Sequence, residues 1–430
     1  MNDHAHQYTA AHIQVLEGVA AVRKRPGMYV GSTGVRGLHN LVFESTDWAV
    51  KQVLAGHAEG VAVVLEADGD IRVTAEGRGG ADLATSHAEN AENAEKSENA
   101  ENAEGPERPS LHELLTQFAR VGRIGRRSVS VGLFGLGPVV TNALSRHLTG
   151  ETDQAGVRWT QRFECGAPVG PPSLDGPATG AGTVLVFRPD TAVFGTATCS
   201  FDDLAERFRM LTFLNRGLRI SLIDRRESAS GGTRSESFHF PGGLKDFVAF
   251  LMTRAGVLGD AGVFGFETEV EVEAAAEAEA ATRVGGGGLP SAGSLEVALG
   301  WSDACSGGIR SFANSQATLH GDHILGLWDG VAAAVETFAR ENRMLDSAAP
   351  GLEADSVADA LRDGLTVVVS VRLDHPRLGG STRERLDNPE VRAPIAAAVA
   401  YRLGRWFAEN PGVASAVADR VLSGRRRAEG

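Results

Sequence analysis

A chain of 430 residues has room for about two to three domains of ~150 residues, and 42% hydrophobic content suits a globular protein with sizeable cores. No apolar run approaches the ~18 residues that cross a bilayer, and the opening MNDHAHQYTA has no apolar signal core, so neither a spanning segment nor a secretory leader is expected. A formal charge of −13 argues against a globally basic nucleic-acid binder, and three scattered cysteines (Cys165, Cys199, Cys305) form no metal-ligand pattern and suit a reducing cytoplasm.

Residues 1–12 are polar and read as an arm or a frayed terminus. Gly37 to Gly56 (GLHNLVFESTDWAVKQVLAG) is predicted helical, because Leu38, Leu41, Val42, Ala49 and Val53 recur at helical spacing and make a stripe that faces a sheet. Asn40, Glu44 and Trp48 follow at steps of four and share a second stripe. Taken alone, that stripe reads as a surface carboxylate beside a partly buried indole. Val61 to Val73 alternates as strand and turns at Asp68-Gly69. Thr74-Ala75-Glu76-Gly77-Arg78-Gly79 follows.

From Ala88 to Glu104 the chain repeats Glu-Asn-Ala, with six Glu against one Lys, and disorder is expected there. Ser110 to Ala119 is an amphipathic helix with Leu111, Leu114, Leu115 and Phe118 on one face. Arg120, Arg123, Arg126 and Arg127 then make a basic run, read either as exposed loop charge or as a phosphate contact. Gly132-Leu133-Phe134-Gly135-Leu136-Gly137 is glycine-rich, so its backbone N–H groups can approach phosphates closely, and Pro138 suits the first turn of a following helix. Trp159 to Pro189 supplies strands. Ser200 reads as an N-cap with Asp202 and Asp203 behind it, opening a helix to Asn215. Leu218 to Arg226 (LRISLIDRR) is expected to close a first domain as an edge strand.

A second domain is expected to begin around Phe238 to Leu251. Val270 to Gly288 is low-complexity and reads as a lengthened loop. Leu295 to Trp301 and Leu365 to Leu373 read as strands, Trp328 to Glu341 and Pro394 to Glu409 as helices. Gly379 to Leu386 is a basic turn, and Arg425-Arg426-Arg427 reads as a short solvated tail.

The segments Ile13 to Ser32 (IQVLEGVAAVRKRPGMYVGS) and Ser130 to Ser145 (SVGLFGLGPVVTNALS) resemble the N-terminal ATPase and transducer region of the DNA gyrase B protein and its topoisomerase IV relative, with gaps from Tyr8 to the C-terminus. The resemblance implies an α+β fold: a two-layer α/β sandwich of the Bergerat (GHKL) nucleotide-binding type, followed by a smaller α/β transducer domain. It implies an arm over 1–12, an ATPase-like domain over 13–225 interrupted by the 88–104 insertion, and a transducer-like domain over 226–430. Tyr8 and Ile13 would belong to the arm with which each protomer closes its partner's ATP site. The TOPRIM domain that helps such proteins cleave DNA is not expected in this chain.

The same resemblance assigns roles. Glu44 stands where the family has its general base, beside Asp47. Gly77, Arg78 and Gly79 match the adenine-side motif, and the run from Gly132 through Leu133, Phe134, Gly135 and Leu136 to Gly137 matches the phosphate loop. Thr183 matches a Thr beneath the adenine. Ser381 and Arg383 stand in a Gln-Thr-Lys loop whose Lys reaches the γ-phosphate. Six departures accompany these matches. Trp48 replaces the magnesium-ligating Asn, Ala75 the adenine-binding Asp, Asn40 a His that supports the Glu, Phe134 a His, Ser381 the Gln, and Arg383 the Lys. An indole has one N–H donor and no oxygen for a hard cation, and a methyl accepts no hydrogen bond. ATP is therefore expected as a weakly held ligand without magnesium. The expected function is a gyrase-B-like pseudo-ATPase that pairs with itself or with a gyrase B or topoisomerase IV partner, with DNA as a further partner, and so modulates DNA topology. The alternative is a residual, DNA-stimulated ATPase clamp.

Overall fold

The computed structural model describes residues 18–77, 111–118, 135–154, 156–178, 182–226, 232–256, 262–272, 291–302, 307–346, 348–380 and 383–429. It divides into two compact units. The first is built from residues up to Val121 with Val131–Phe208 and Leu218–Phe238, the second mainly from Arg209–Gly217 and His239–Gly430. The insertion over 88–104 and the arginine run from Arg120 to Arg127 lie outside the described residues.

In chain order the first unit holds α1 (Gly18–Lys24), α2 (Gly27–Val30), α3 (Val35–Leu54), β1 (Gly60–Leu65), β2 (Ile71–Glu76), α4 (Leu111–Thr116) and α5 (Pro138–Ala143). There follow β3 (Ser145–Gln154), β4 (Val157–Glu164), β5 (Ala167–Pro168), β6 (Ser173–Pro177), β7 (Gly182–Pro189), α6 (Thr191–Phe194), α7 (Phe201–Leu214, whose residues from Arg209 on belong to the second unit), β8 (Ile220–Asp224) and β9 (Arg234–Phe238). The strands form one sheet in the order β5-β4-β3-β7-β2-β1-β8-β9, with β6 beside β4.

Alternation decides which face is covered. Ile71, Val73 and Ala75 of β2 and Thr183, Leu185 and Phe187 of β7 are buried, while the residues between them are partly exposed. Helix α3 packs on β1 and β2, and α5 on β3 and β7, so helices form one layer and the sheet the other. The entry to α3 is tight. A Cβ on Gly37 would lie 1.8 Å from the Ser32 carbonyl oxygen, and the Gly37 N–H donates to Ser32 Oγ at 3.0 Å.

Two expectations for this unit change. The Leu218–Arg226 strand is not an edge, because β8 runs parallel to β1 and is covered on its other side by antiparallel β9. Strand β3 escapes sequence reading because it is mostly polar (SRHLTGETDQ), yet it is held between β4 and β7 along nearly its whole length. Ser200 does cap α7, accepting the Asp203 N–H on its Oγ at 3.3 Å.

The second unit continues with α8 (Leu244–Arg254), β10 (Phe264–Val272), β11 (Ser291–Trp301), β12 (Gly308–Ala313), β13 (Gln316–Thr318), β14 (His320–Gly321), α9 (Asp322–Glu341), α10 (Ala354–Leu361), β15 (Leu365–Leu373), β16 (Leu378–Gly379), β17 (Arg385–Leu386), α11 (Arg392–Glu409) and α12 (Pro411–Glu429). Its main sheet has the order β10-β11-β15-β12-β13. One face meets α9, α11 and α12 through Val297, Val369, Val335, Val399 and Ala418. The other meets α8 through Phe247, Val248 and Phe312, with Phe213 stacked on Phe247 at 4.8 Å between ring centroids. A buried carboxylate pins this packing: Glu296 accepts from Arg216 Nη2 at 2.6 Å and from the Leu244 N–H at 3.1 Å.

Here too the sequence reading is corrected. Val270 to Val272 belong to β10 rather than to a loop, and the rest of the low-complexity run lies outside the described residues. Arg425 lies on α12 and donates to the Pro350 carbonyl at 3.1 Å, and the backbone of the basic triplet continues that helix. No helix of the described residues is long and apolar enough to cross a membrane.

Candidate functional site

In the first unit the chemistry gathers on the face of α3 that looks across to α5 and the sheet. Contrary to its reading as a surface residue, Glu44 is fully buried. Its Oε2 accepts the Gly137 N–H at 2.9 Å. Gly135 (φ +62) and Gly137 (φ +78) both have positive φ, a backbone that glycine adopts without strain, and the amide of Gly137, the N-cap of α5, meets the carboxylate. Pro138 at the first helical position needs no N–H of its own.

The two other members of that stripe are buried as well. Asn40 donates through Nδ2 to the Val30 carbonyl at 2.9 Å and so braces the α2 turn. Trp48 is 6% exposed, so the indole is almost wholly packed away. Asp47, one residue before it, is buried and ion-paired with Lys51. Arg207 of α7 also senses Asp47: burial draws its guanidinium down to about 10, and the carboxylate partly offsets this.

On the sheet, Ala75 of β2 pairs with Thr183 of β7, and Thr183 in turn pairs with Thr152 of β3. The Thr152 and Thr183 hydroxyls lie 3.0 Å apart, so Thr183 is satisfied by a neighbouring strand. Glu76 is exposed on the face opposite Ala75, as strand alternation requires. Gly77 (φ +154) lies within 2.7 Å, from an added Cβ, of the Glu59 amide nitrogen, a close approach open only to glycine. Leu136 is half-buried beside the Gly135–Gly137 turn.

Magnesium does not fit this donor set. Trp48 offers no oxygen, Glu44 is engaged by a backbone amide, and Asp47 is neutralised by Lys51. Among the described residues no group of three or more His, Cys, Asp or Glu could hold a metal ion. A nucleotide fits in part: the glycine turn at Gly135–Gly137 is formed, whereas the adenine-side carboxylate is absent at Ala75.

In the second unit, Arg383 is exposed on the loop between β16 and β17, with left-handed backbone (φ +56) and its N–H directed to the Gly380 carbonyl at 3.3 Å. Tyr8, Ile13, Arg78, Gly79, Gly132, Leu133, Phe134 and Ser381 lie outside the described residues. Sequence reasoning passed over His39. Its ring is buried, Nε2 accepts the Ser200 N–H at 2.9 Å, and burial keeps its pKa below the ordinary value against the opposing pull of Asp203. Only the fold could reveal that contact. The Asp47–Lys51 pair was readable in advance as an i, i+4 pair.

The first unit is therefore a two-layer nucleotide-binding fold of the GHKL type. Residues 243–429 match the DNA gyrase B family model. The chain is 34% identical over 427 residues to the DNA gyrase B protein of Streptomyces coelicolor, covering 96% of this chain and 57% of that protein. It is also 34% identical over 431 residues to that of Haloferax lucentense, covering 98% of this chain and 60% of that protein. It thus spans under two thirds of the length of the curated relatives it matches. The 43K ATPase domain of Thermus thermophilus gyrase B, solved with an aminocoumarin, aligns with a TM-score of 0.68 at 27% identity over 96% of both chains. The topoisomerase IV ATP-binding domain of Francisella tularensis, solved with a small-molecule inhibitor, shares the fold with a TM-score of 0.68 at 22% identity, over 97% of this chain and 99% of that one. The chain is similar, over nearly its whole length, to the ATPase and transducer region of the DNA gyrase B family.

Proposed function

We propose that this chain is a gyrase-B-type clamp module with little or no ATP turnover, which pairs with itself or with a gyrase B or topoisomerase IV partner and modulates DNA topology. The observation that carries this reading is the buried Trp48, one turn beyond Glu44 on α3. The indole occupies the ligand position of the resemblance and supplies no oxygen, and the charge on transferring phosphates is left without the neutralisation that hydrolysis needs. The pairing of Ala75 with Thr183 points the same way, since an adenine amino group there would be buried without its acceptor, at about 1–3 kcal/mol. The formed Gly135–Gly137 turn supports a weakly held nucleotide. Calorimetric titration with ATP and its imido analogue, with and without magnesium, should give binding weaker than ~10 µM and no dependence on the metal. Tight, magnesium-dependent binding would overturn the reading. A pull-down with gyrase proteins under several nucleotide conditions tests the partner.

A second reading is a residual, DNA-stimulated ATPase acting as the ATP-operated clamp of a type II topoisomerase. It draws support from Glu44, the residue at the position of the general base, and from Arg383 at the phosphate-reaching position. Steady-state phosphate release separates the two readings: equal rates for the native protein and Glu44→Ala remove the second.

A further inference from the structure

The loop that carries Arg383 is gripped from the preceding segment. The Glu384 carbonyl accepts the N–H groups of Leu319 at 2.8 Å and His320 at 3.3 Å. Strand β14 runs parallel to β17, His320 opposite Arg385 and Gly321 opposite Leu386. Gly321 (φ +141) comes so close that an added Cβ would lie 2.6 Å from the Leu386 carbonyl oxygen. The peptide unit directly after Glu384, one residue beyond Arg383, is thus fixed by the amides of residues 319 and 320.

That gripping segment is itself closed by side chains. Thr318 Oγ1 lies 3.0 Å from His323 Nε2, and Ser311 Oγ lies 2.8 Å from Thr318 Oγ1 and 2.7 Å from the Thr318 carbonyl oxygen. All three side chains are buried, His323 completely. Three contacts need three protons. Ser311 gives one to the Thr318 carbonyl, Thr318 gives one to Ser311 Oγ, and the third must come from His323 Nε2–H. A neutral imidazole has only one N–H, so Nδ1 is left as a bare lone pair. His323 Nδ1 is indeed buried without a hydrogen-bond partner among the described residues. Burial also pushes the imidazole down to about 4, which keeps it neutral near pH 7.

We infer that His323 is a positioning residue for Arg383: by donating Nε2–H to Thr318 it closes the turn from Thr318 to His323, and so holds the two amides that fix Glu384. The consequence for nucleotide rests on the proposed role of Arg383; the anchoring does not. Hydrogen exchange on the whole chain tests the anchoring. In His323→Phe, and in the nearly isosteric Thr318→Val, the Leu319 and His320 amides should exchange about tenfold faster or more while β15 amides keep their protection. His323→Gln, which retains an N–H donor, should stay close to the native protein. Unchanged exchange at residues 319 and 320, or equal acceleration throughout β15, overturns the inference. Should His323→Phe fail to fold, Thr318→Val decides. In a second arm, the preference for the imido analogue of ATP over ADP should fall in His323→Phe as far as in Arg383→Ala. If the native protein binds neither nucleotide, the proposed role of Arg383 fails and the exchange result still decides the anchoring.

Discussion

Glu44 and Gly137 meet at 2.9 Å, a buried carboxylate accepting the amide that opens α5. That amide belongs to the turn which the gyrase B resemblance assigns to phosphates. Carboxylate and phosphate are both anions seeking the same donor, so a bound nucleotide must share or displace the contact. Glu44→Ala should destabilise the first unit by about 1–3 kcal/mol, since it leaves the partly buried Gly137 N–H without this acceptor. Glu44→Gln, whose amide oxygen still accepts, should cost less. Urea denaturation of the two variants measures the difference.

Trp48 and Ala75 form the second testable pair. The double change Trp48→Asn with Ala75→Asp supplies an oxygen donor on α3 and an acceptor on β2. Nucleotide affinity should rise by about tenfold or more and become magnesium-dependent, read by calorimetry. The same change removes a buried indole, so it should also lower stability by about 3–5 kcal/mol. A folded double variant with no gain in binding means that the pocket itself no longer accepts adenine.

Gly182 sets the spacing between β7 and β2. With φ +138, an added Cβ would lie 2.3 Å from the Ala75 carbonyl oxygen. Gly182→Ala should therefore push β7 from β2 and cost about 1–3 kcal/mol, seen as a lower thermal midpoint. Gly217→Ala, which also has positive φ (+81) but open space around it, should cost less.

Acid should weaken the second unit through His323. Its folded pKa of about 4 lies below the ordinary 6.5, so the unfolded chain takes up the proton first. The stability due to its neutral form is complete above pH 6.5 and is lost as pH falls toward 4, by on the order of 3 kcal/mol. His39 is shifted in the same direction by burial, so some loss below pH 6.5 remains without His323. Denaturant midpoints of the native protein and His323→Gln at pH 7, 5.5 and 4.5 should show a shallower acid limb in the variant.

Much of the architecture was readable from local pattern. The stripe through Leu38, Leu41 and Val42 is the covered face of α3, the Asp68-Gly69 turn joins β1 to β2, and Pro138 opens α5. What failed was what local pattern does not carry. β3 is polar along its length and exists because β4 and β7 flank it, and β8 loses its free edge to β9, which follows a segment with no strand signal of its own.

The residues at the site divide in the same way. That Trp48, Ala75 and Arg383 stand where the gyrase B resemblance has its metal-ligating, adenine-binding and phosphate-reaching groups was legible in the sequence, because the motifs that carry the resemblance are short-range patterns. Whether Glu44 faces water or Gly137, whether Trp48 is packed away, and that Thr318, His323 and Ser311 share their protons was decided only by tertiary structure. Burial is set by chain segments far apart in sequence, as is the partnership of Glu44 with Gly137, and no short window along the chain contains both halves of such a contact.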